Sequence, residues 1–268
     1  MAESKQTGMS RVIAIANQKG GAGKTTVAVN LAVAIGETGQ RTLLVDVDPQ
    51  ADATTMLGID PAQHKHTIYD VFTGGCEVPG ATARQAAPGV DLLIGTERMS
   101  DVEVTLAGQM MRERYLADAL AEQIADYDVV LIDCPPNLGL LTINALVAAH
   151  EVLVVLSMID RNAYKGAMAL LQTTSELRRK GVDTTLAGIL RNNVDRSRQT
   201  YRALNDALAA HPELPLLHAE VPMRAEFQNA LTAGQPLLVR NPDHIGAQAL
   251  RDAAAELFDP PTAQRKAA

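Results

Sequence analysis

The stretch that decides the fold lies at residues 17–26 and reads N-Q-K-G-G-A-G-K-T-T. An apolar, β-branched run at 11–16 precedes it, and apolar residues at three- and four-residue spacing follow at 25–37. A strand that enters a glycine-rich turn and then a helix predicts a phosphate-binding loop. Its glycines let backbone N–H groups turn toward phosphate oxygens, and the helix start adds the positive end of its dipole.

The side chains of this loop predict ATP and Mg²⁺ as ligands. Lys24 is expected to reach the β- and γ-phosphates, and the Thr25 hydroxyl to bind Mg²⁺. The usual pattern G-x-x-x-x-G-K-[ST] is not fully met, because Gln18 occupies the position of its first glycine and a second lysine, Lys19, follows. The alternative is a glycine-rich turn without a ligand, and the strand before the loop and the helix after it argue against that.

Carboxylates follow two other predicted strands. Residues 43–50 read L-L-V-D-V-D-P-Q, with Asp46 and Asp48 at the strand end, and the apolar run at 129–132 is followed by Asp133. An aspartate after an apolar strand of a P-loop sheet is the Walker B arrangement, so Asp133 is expected to bind Mg²⁺ directly or through water. Asp48 is expected to hold the attacking water in line, because phosphoryl transfer depends mainly on positioning. Any one of these aspartates could instead cap a helix.

Alternating strand and helix segments predict an α/β fold. Apolar β-branched runs predict strands at 11–16, 42–47, 90–94, 129–132, 152–156, 185–190 and 214–221. Helical spacing predicts helices at 25–37, 110–125, 138–149, 162–180, 199–210 and 245–258. This order favours a doubly wound, mostly parallel sheet flanked by helices, whose ligands bind outside the carboxyl ends of the strands.

The length of 268 residues is consistent with one P-loop ATPase domain at 11–259, with tails at 1–10 and 260–268. Residues 58–88, in which Gly and Pro cluster, are expected to be an irregular excursion. With three Phe, five Tyr and no Trp, the core must come from Ala, Val, Leu and Ile, which is typical of parallel sheets covered by helices. Two lone cysteines, Cys76 and Cys134, and the lack of a signal-peptide or membrane-spanning apolar stretch favour a cytoplasmic location.

The charge is unevenly distributed along the chain. Its net value is −7, but residues 161–202 carry nine basic and three acidic side chains, a net charge of +6, which leaves −13 for the remainder. A solvated basic helix face is the ordinary interpretation of such a segment, and a nucleic-acid patch is the alternative.

These motifs together resemble the ParA/MinD family of deviant Walker A ATPases, and most closely its Soj-like chromosome and plasmid partition members. The matching runs are A-N-Q-K-G-G-A-G-K-T-T at 16–26, L-L-V-D-V-D-P-Q-A-D-A-T at 43–54, L-I-D-C-P-P-N-L-G-L-L-T-I-N-A-L at 131–146 and P-L-L-V-R-N-P-D at 236–243. The resemblance therefore covers nearly the whole chain.

The resemblance implies that ATP lies between two subunits and that Lys19 reaches across to the partner's phosphates. Asp48 would be the hydrolytic residue, with Asp46 and Asp133 near the metal. Asn192 would read adenine. The nucleotide contacts implied in full are Lys19, Gly20, Gly21, Ala22, Gly23, Lys24, Thr25, Thr26, Asn192 and Pro222.

The same resemblance implies a DNA-dependent positioning ATPase. Its ATP-bound homodimer would coat the nucleoid by binding double-stranded DNA without sequence preference, and a ParB-like or other cargo adaptor would trigger hydrolysis and release. The basic segment 161–202 supports this interpretation, since phosphate contacts carry no sequence information. The expected DNA contacts are Arg196, Arg198, Arg202 and Arg224.

The chain differs from the Soj-like pattern in two segments. Residues 157–166 read S-M-I-D-R-N-A-Y-K-G where those proteins have Q-x-E-Y-x-A-L-E-G. Residues 221–227 read V-P-M-R-A-E-F and place Glu226 where an arginine of the DNA-contacting loop is expected. Both differences concern cargo and DNA contacts, and the ATPase prediction does not depend on them.

Two other functions use the same fold. A membrane-cycling, MinD-like division-site ATPase needs a terminal amphipathic basic helix, whereas the last predicted helix here runs into D-P-P at 259–261. A metabolic or reductase relative is the other alternative, and an iron–sulfur reductase needs paired cluster cysteines. Cys134 directly follows a strand and is expected to be an inert small hydrophobe.

Overall fold

The computed structural model describes residues 10–258. Over this range one sheet of eight strands has the order β3-β4-β2-β5-β1-β6-β7-β8, and only β3 runs antiparallel to its neighbour. The strands are β1 Arg11–Ala16, β2 Thr42–Asp46, β3 Thr82–Ala87, β4 Val90–Leu93, β5 Val129–Asp133, β6 Glu151–Ser157, β7 Thr185–Val194 and β8 Leu216–Pro222. The predicted doubly wound, mostly parallel sheet is confirmed.

Helices cover both faces of the sheet. They are α1 Lys24–Gly36, α2 Asp52–Met56, α3 Ile68–Phe72, α4 Val102–Thr105, α5 Tyr115–Leu120, α6 Leu140–Ala148, α7 Arg161–Arg179, α8 Gln199–Ala209, α9 Ala225–Thr232, α10 Leu237–Arg240 and α11 Ile245–Phe258. One core lies between the sheet and α1, α2, α9, α10 and α11, and a second lies between the sheet and α3 to α8. Strands β2 and β5 are buried along their whole length, because helices cover them on both sides.

The segment between α2 and β4 is more regular than predicted. Within 58–88 the chain forms two 3₁₀ turns, helix α3 and the edge strand β3. Thr67 begins α3 with a capping box, in which its hydroxyl and backbone pair with Asp70. Strand β3 was not predicted because its sequence, T-A-R-Q-A-A, lacks β-branched apolar residues and is mostly only half-buried or exposed.

The single helix predicted at 110–125 is wrong. Only α5, Tyr115–Leu120, is α-helical there, and 3₁₀ turns flank it on both sides. Met111 has a φ of 56°, a left-handed conformation that a continuing helix does not allow. Helices α2, α4, α9 and α10 were also missed, since segments of four to eight residues give too little periodicity.

The strand order brings the predicted site residues to one edge of the sheet. Strand β5 lies between β1 and β2, so that Asp133 is in register with Ile15 on one side and with Asp46 on the other. The loop after β1 and the aspartates that end β2 and β5 therefore meet at the carboxyl ends of three adjacent strands.

At the β8 edge of the sheet, two backbone N–H groups are hydrogen-bonded to a carboxylate. The register between β7 and β8 shifts within β8, and there the backbone N–H groups of His218 and Ala219 both donate to Glu256 of α11, at 2.8 and 3.1 Å. Between residues 10 and 258 no helix has the length and apolar character needed to cross a membrane.

Candidate nucleotide site

The loop between β1 and α1 has the backbone of a phosphate cradle. Gly21 and Gly23 have φ values of 74° and 84°, the left-handed region that glycine adopts without strain. Gly23 precedes α1 and offers no side-chain cap, so the first N–H groups of the helix are left for a ligand. Asn17 fixes the start of the loop, because its Oδ1 accepts the Lys19 N–H at 3.1 Å and its Nδ2 donates to the Val155 carbonyl of β6 at 2.7 Å.

Asn192 braces the loop from the side of β7. Its Nδ2 donates to the Ala22 carbonyl at 2.8 Å, and a Cβ atom at Gly23 would collide with its side-chain amide. Asn192 also lines the cavity described below. The side chain thus supports the phosphate loop directly, a contact that the sequence prediction of an adenine-reading residue did not include.

Asp46 is fully buried behind the loop. Its Oδ2 accepts two hydrogen bonds from Thr54 of α2, from the backbone N–H at 2.9 Å and from the hydroxyl at 2.7 Å, whereas Oδ1 has no hydrogen-bond partner among the described residues. Burial, together with the nearby charge of Asp48, raises the pKa of Asp46 to about 7 despite those bonds.

Asp133 is also fully buried, and neither of its carboxylate oxygens has a hydrogen-bond partner within residues 10–258. Burial raises the pKa of Asp133 well above its ordinary value, and the charge of Asp46 raises it further. The Thr25 hydroxyl and the Lys24 ammonium both lower the pKa of Asp133 and partly offset these effects. Two adjacent carboxylates with unpartnered oxygens stand beside a single ammonium, that of Lys24, so the site carries more acidic groups than this one cation compensates.

A magnesium ion fits this donor set. Thr25 and Asp133 supply the hard oxygen ligands that Mg²⁺ prefers, and the free oxygen of Asp46 lies beside them in register. No group of three or more His, Cys, Asp or Glu side chains in the described range is arranged to hold a metal by itself. Substrate phosphates would therefore complete the coordination, as is usual for Mg²⁺ in nucleotide sites.

A cavity of about 650 Å³ opens above the loop. Of the predicted site residues, those that line it are Gly20, Gly21, Gly23, Lys24, Thr25, Thr26, Asp48, Asn192 and Arg224. Asp48 is almost buried and its Oδ1 accepts the Gln50 N–H at 3.0 Å, which holds the carboxylate at the cavity wall. Pro222 lines a neighbouring cavity and not this one.

The sequence prediction missed one wall of this cavity. The additional lining residues are Gln50, Asp52, Pro136, Asn193, Met223, Ala225, Phe227, Gln228 and Leu231. Four of these nine residues lie on α9. In this helix Phe227 packs so closely on Gly246 of α11 that a Cβ at Gly246 would lie 2.7 Å from the ring. The four-residue spacing of Phe227 and Leu231 was the available signal, but a helix of eight residues is too short to recognise by period alone.

Lys19 does not line the cavity. Its Nζ lies 3.2 Å from Oδ2 of Asp160, which precedes α7, and its side chain is 41% exposed. The Asn162 N–H, together with Lys19, holds the pKa of Asp160 below its ordinary value. Helix α7 touches the loop again at Gly166, where a Cβ would come within 2.8 Å of Asn17 Oδ1.

The four arginines predicted to contact DNA differ in their partners. Arg196 lies 2.7 Å from Glu220, which also pairs with Arg191 and accepts from the Tyr201 hydroxyl. Arg198 lies 3.0 Å from Asp195. Arg202 and Arg224 are exposed, and neither has an acidic partner within residues 10–258. The four do not form one uncompensated patch.

A glycine-rich phosphate cradle and strand-end carboxylates on a doubly wound sheet define a P-loop nucleotide-binding protein. Residues 10–187 match the AAA domain family. The chromosome partitioning protein ParA of Caulobacter vibrioides is 37% identical over 252 residues, which are 92% of this chain and 94% of that protein. The sporulation initiation inhibitor protein Soj of Bacillus subtilis is 32% identical over 250 residues, 93% of this chain and 98% of that protein. The chain belongs to the ParA/MinD family of P-loop ATPases, as its motifs predicted.

A solved structure extends this similarity to three dimensions. The crystal structure of cobyrinic acid a,c-diamide synthase from Mycobacterium smegmatis with bound ADP and magnesium matches with a TM-score of 0.81 and 36% sequence identity. The match covers 93% of this chain and 94% of that one.

Proposed function

We propose that this chain is a Mg²⁺-dependent ATPase that closes into a homodimer when it binds ATP. In that state it binds double-stranded DNA without sequence preference, and hydrolysis releases it. Through this cycle it segregates a chromosome, a plasmid or another large cargo that a ParB-like or other adaptor carries, in the cytoplasm and on the nucleoid. The observation that carries the proposal is the pair of lysines in one loop: Lys24 lines the cavity, whereas Lys19 lies outside it.

Lys24 and the loop N–H groups hold the phosphates of ATP in this proposal. Thr25 and Asp133 would hold Mg²⁺, with Asp46 behind them, and the ion when bound neutralises charge on the phosphate oxygens. Asp48 accepts a hydrogen bond from the attacking water and orients it in line with the leaving group. Lys19 is redundant within its own site and, once released from Asp160, would reach the phosphates of a partner subunit, which is why ATP would favour a dimer.

The relatives support the partition role, and the basic residues supply a surface for it. Arg202 and Arg224 carry charges that have no acidic partner among residues 10–258 and are free to contact phosphate. Arg224 also lines the nucleotide cavity, so this surface adjoins the ATP site. No membrane partner is proposed.

Co-sedimentation with nonspecific duplex DNA in ATP, in ADP and without nucleotide tests the proposal. We expect pelleting with ATP alone, using the Asp48→Ala protein to keep ATP intact. Pelleting that is equal in all three conditions, or absent from all three, would refute the nucleotide-gated DNA function.

A second candidate is an ATP-dependent amide synthase, which the name of the Mycobacterium smegmatis structure favours. A synthase would hydrolyse ATP only when its acid substrate and a nitrogen donor are present. Phosphate release measured with DNA alone, and with cobyrinic acid and glutamine alone, separates the two candidates. Stimulation by DNA supports the partition ATPase, and stimulation by the acid and glutamine supports the synthase.

A further inference from the structure

The loop at 134–139 links the buried carboxylate of Asp133 to the first turn of α6. Pro136 in this loop lines the nucleotide cavity, and a Cβ added at Gly20 would lie 3.9 Å from the Pro136 ring. The loop therefore borders both the metal-site carboxylate and the phosphate cradle, and its position affects the space in which the terminal phosphate and the attacking water must lie.

The far end of this loop is held from within, where Asn137 Oδ1 accepts the Gly139 N–H at 3.0 Å, and also from outside its own segment. Gly139 precedes α6 and has no side chain to cap it. Instead Oε1 of Glu103, from α4, accepts the Leu140 N–H at 2.7 Å. A carboxylate at a helix start is favoured both by the free N–H group and by the helix dipole.

Glu103 is itself on a firmly anchored element. Its neighbours Val102 and Leu106 are buried in the core, and this packing holds the backbone of Glu103 in place. Gly139 makes room for the contact, because a Cβ there would collide with Glu103 Oε1. Gly139 has a φ of −75°, which any residue adopts, and the requirement for glycine at this position is therefore one of space.

We infer that Glu103 is a positioning residue for ATP hydrolysis: by capping α6 it fixes the loop that carries Pro136 to the phosphate cradle. This rests on the proposed ATPase function. Because Glu103 touches neither the cradle nor the cavity, its loss disturbs turnover more than ATP binding.

Steady-state kinetics of Glu103→Ala test the inference. This substitution removes the cap of α6 that holds the loop at 134–139. It is expected to lower kcat by about threefold to tenfold, while KM stays within about twofold. Glu103→Gln keeps an acceptor oxygen at the same reach and should retain most of kcat. The matched control is Glu113→Ala, a half-buried glutamate on the same surface cavity that caps no helix within residues 10–258, which should behave as wild type.

A double-mutant cycle with Gly139→Ala separates positioning from a general loss of stability. Gly139→Ala alone should destabilise the protein and slow turnover, since its methyl group displaces the Glu103 carboxylate. In Glu103→Ala the same methyl group meets no carboxylate, so the second substitution should cost less than it does in wild type. Hydrogen exchange of the Leu140 amide, which needs no turnover, should quicken in Glu103→Ala.

The outcomes are distinct. Unchanged kcat in Glu103→Ala, a matching fall in Glu113→Ala, additive effects in the cycle, or unchanged exchange at Leu140 each overturn the positioning role. A lower Tm with unchanged kcat also overturns it, because the contact would then be structural only. If the wild-type protein hydrolyses no ATP, both the proposed function and this inference are wrong. If the wild-type protein hydrolyses ATP and Glu103→Ala does so at the same rate, only this inference is wrong.

Discussion

Lys24 and Lys19 lie five residues apart in one loop but have different surroundings. Lys24 is buried at the base of the cavity and interacts with Asp133, whereas Lys19 is paired with Asp160 outside it. A lysine that faces the phosphates contributes to ground-state binding. A carboxylate such as Asp48, which we propose orients the attacking water, would contribute mainly in the transition state.

Lys24→Ala is expected to abolish ATP binding, whereas Asp48→Ala should bind ATP normally and lose turnover by roughly 10²-fold or more. Equilibrium titration with a fluorescent ATP analogue gives the affinity, and phosphate release gives the rate. The assignment of Asp48 is wrong if both variants lose binding equally.

Lys19→Ala is expected to bind ATP and remain monomeric, because its proposed role is exercised on a partner's phosphates. The pair with Asp160 must break before Lys19 can reach another subunit, so Asp160→Asn should form dimers at lower protein concentration than its parent. Light scattering in the Asp48→Ala background, with exposed Lys65→Ala as a lysine control, measures both effects. Dimers that persist without Lys19 would rule out the cross-subunit role.

At the scale of elements, α9 adds what the motifs did not reveal. Its residues Phe227, Gln228 and Leu231 form a wall of the nucleotide cavity. They are far from the phosphate loop in the sequence but line the same cavity. The aromatic ring, held against Gly246, presents an apolar surface to whatever fills the cavity.

Phe227→Ala is expected to weaken ATP binding by about tenfold, since it removes part of an apolar wall, while Mg²⁺ dependence stays the same. Calorimetric titration with a nonhydrolysable ATP analogue measures this. Thr232→Ala, on the same helix but outside the cavity, is the control. Equal affinity of Phe227→Ala and wild type would mean that α9 does not contact the nucleotide.

The predictable elements were those whose sequence carries a local signal. Strands β1, β2 and β5 are short apolar runs, β2 and β5 end in aspartates, and the loop at 17–26 combines glycines with two lysines between a strand and a helix. The contacts of Asp160 with Lys19 and of Asn192 with Ala22 join residues 141 and 170 positions apart. No local period records such pairs, because tertiary packing alone creates them.

At the scale of the whole molecule, the basic segment is less uniform than its sequence suggests. Two acidic residues, Glu220 and Asp195, compensate Arg196 and Arg198. A DNA phosphate would have to compete with these carboxylates for the guanidinium groups, while Arg202 and Arg224 are free of such competition within the described range.

Arg202→Ala and Arg224→Ala are each expected to lower the slope of log affinity against log salt by about 0.9 in the ATP state, for all duplex sequences alike. Arg196→Ala and Arg198→Ala should have smaller effects, since their charges are already compensated. Fluorescence anisotropy over a salt series measures the slopes, with Arg251→Ala, which pairs with Glu37, as the control. An unchanged slope in the Arg202→Ala, Arg224→Ala double variant would exclude this surface.

The carboxylate that Glu256 of α11 places against β8 affects how copies of the chain can associate. An open edge strand offers backbone donors to any extended peptide, and unprotected edges promote edge-to-edge polymerisation and amyloid-like aggregation. Here the register shifts within β8, and the Glu256 carboxylate accepts the backbone N–H groups of His218 and Ala219, so two such donors are already in use. Growth into filaments by continuation of the sheet is therefore disfavoured at this edge, and reversible association of copies is left to the side-chain surfaces.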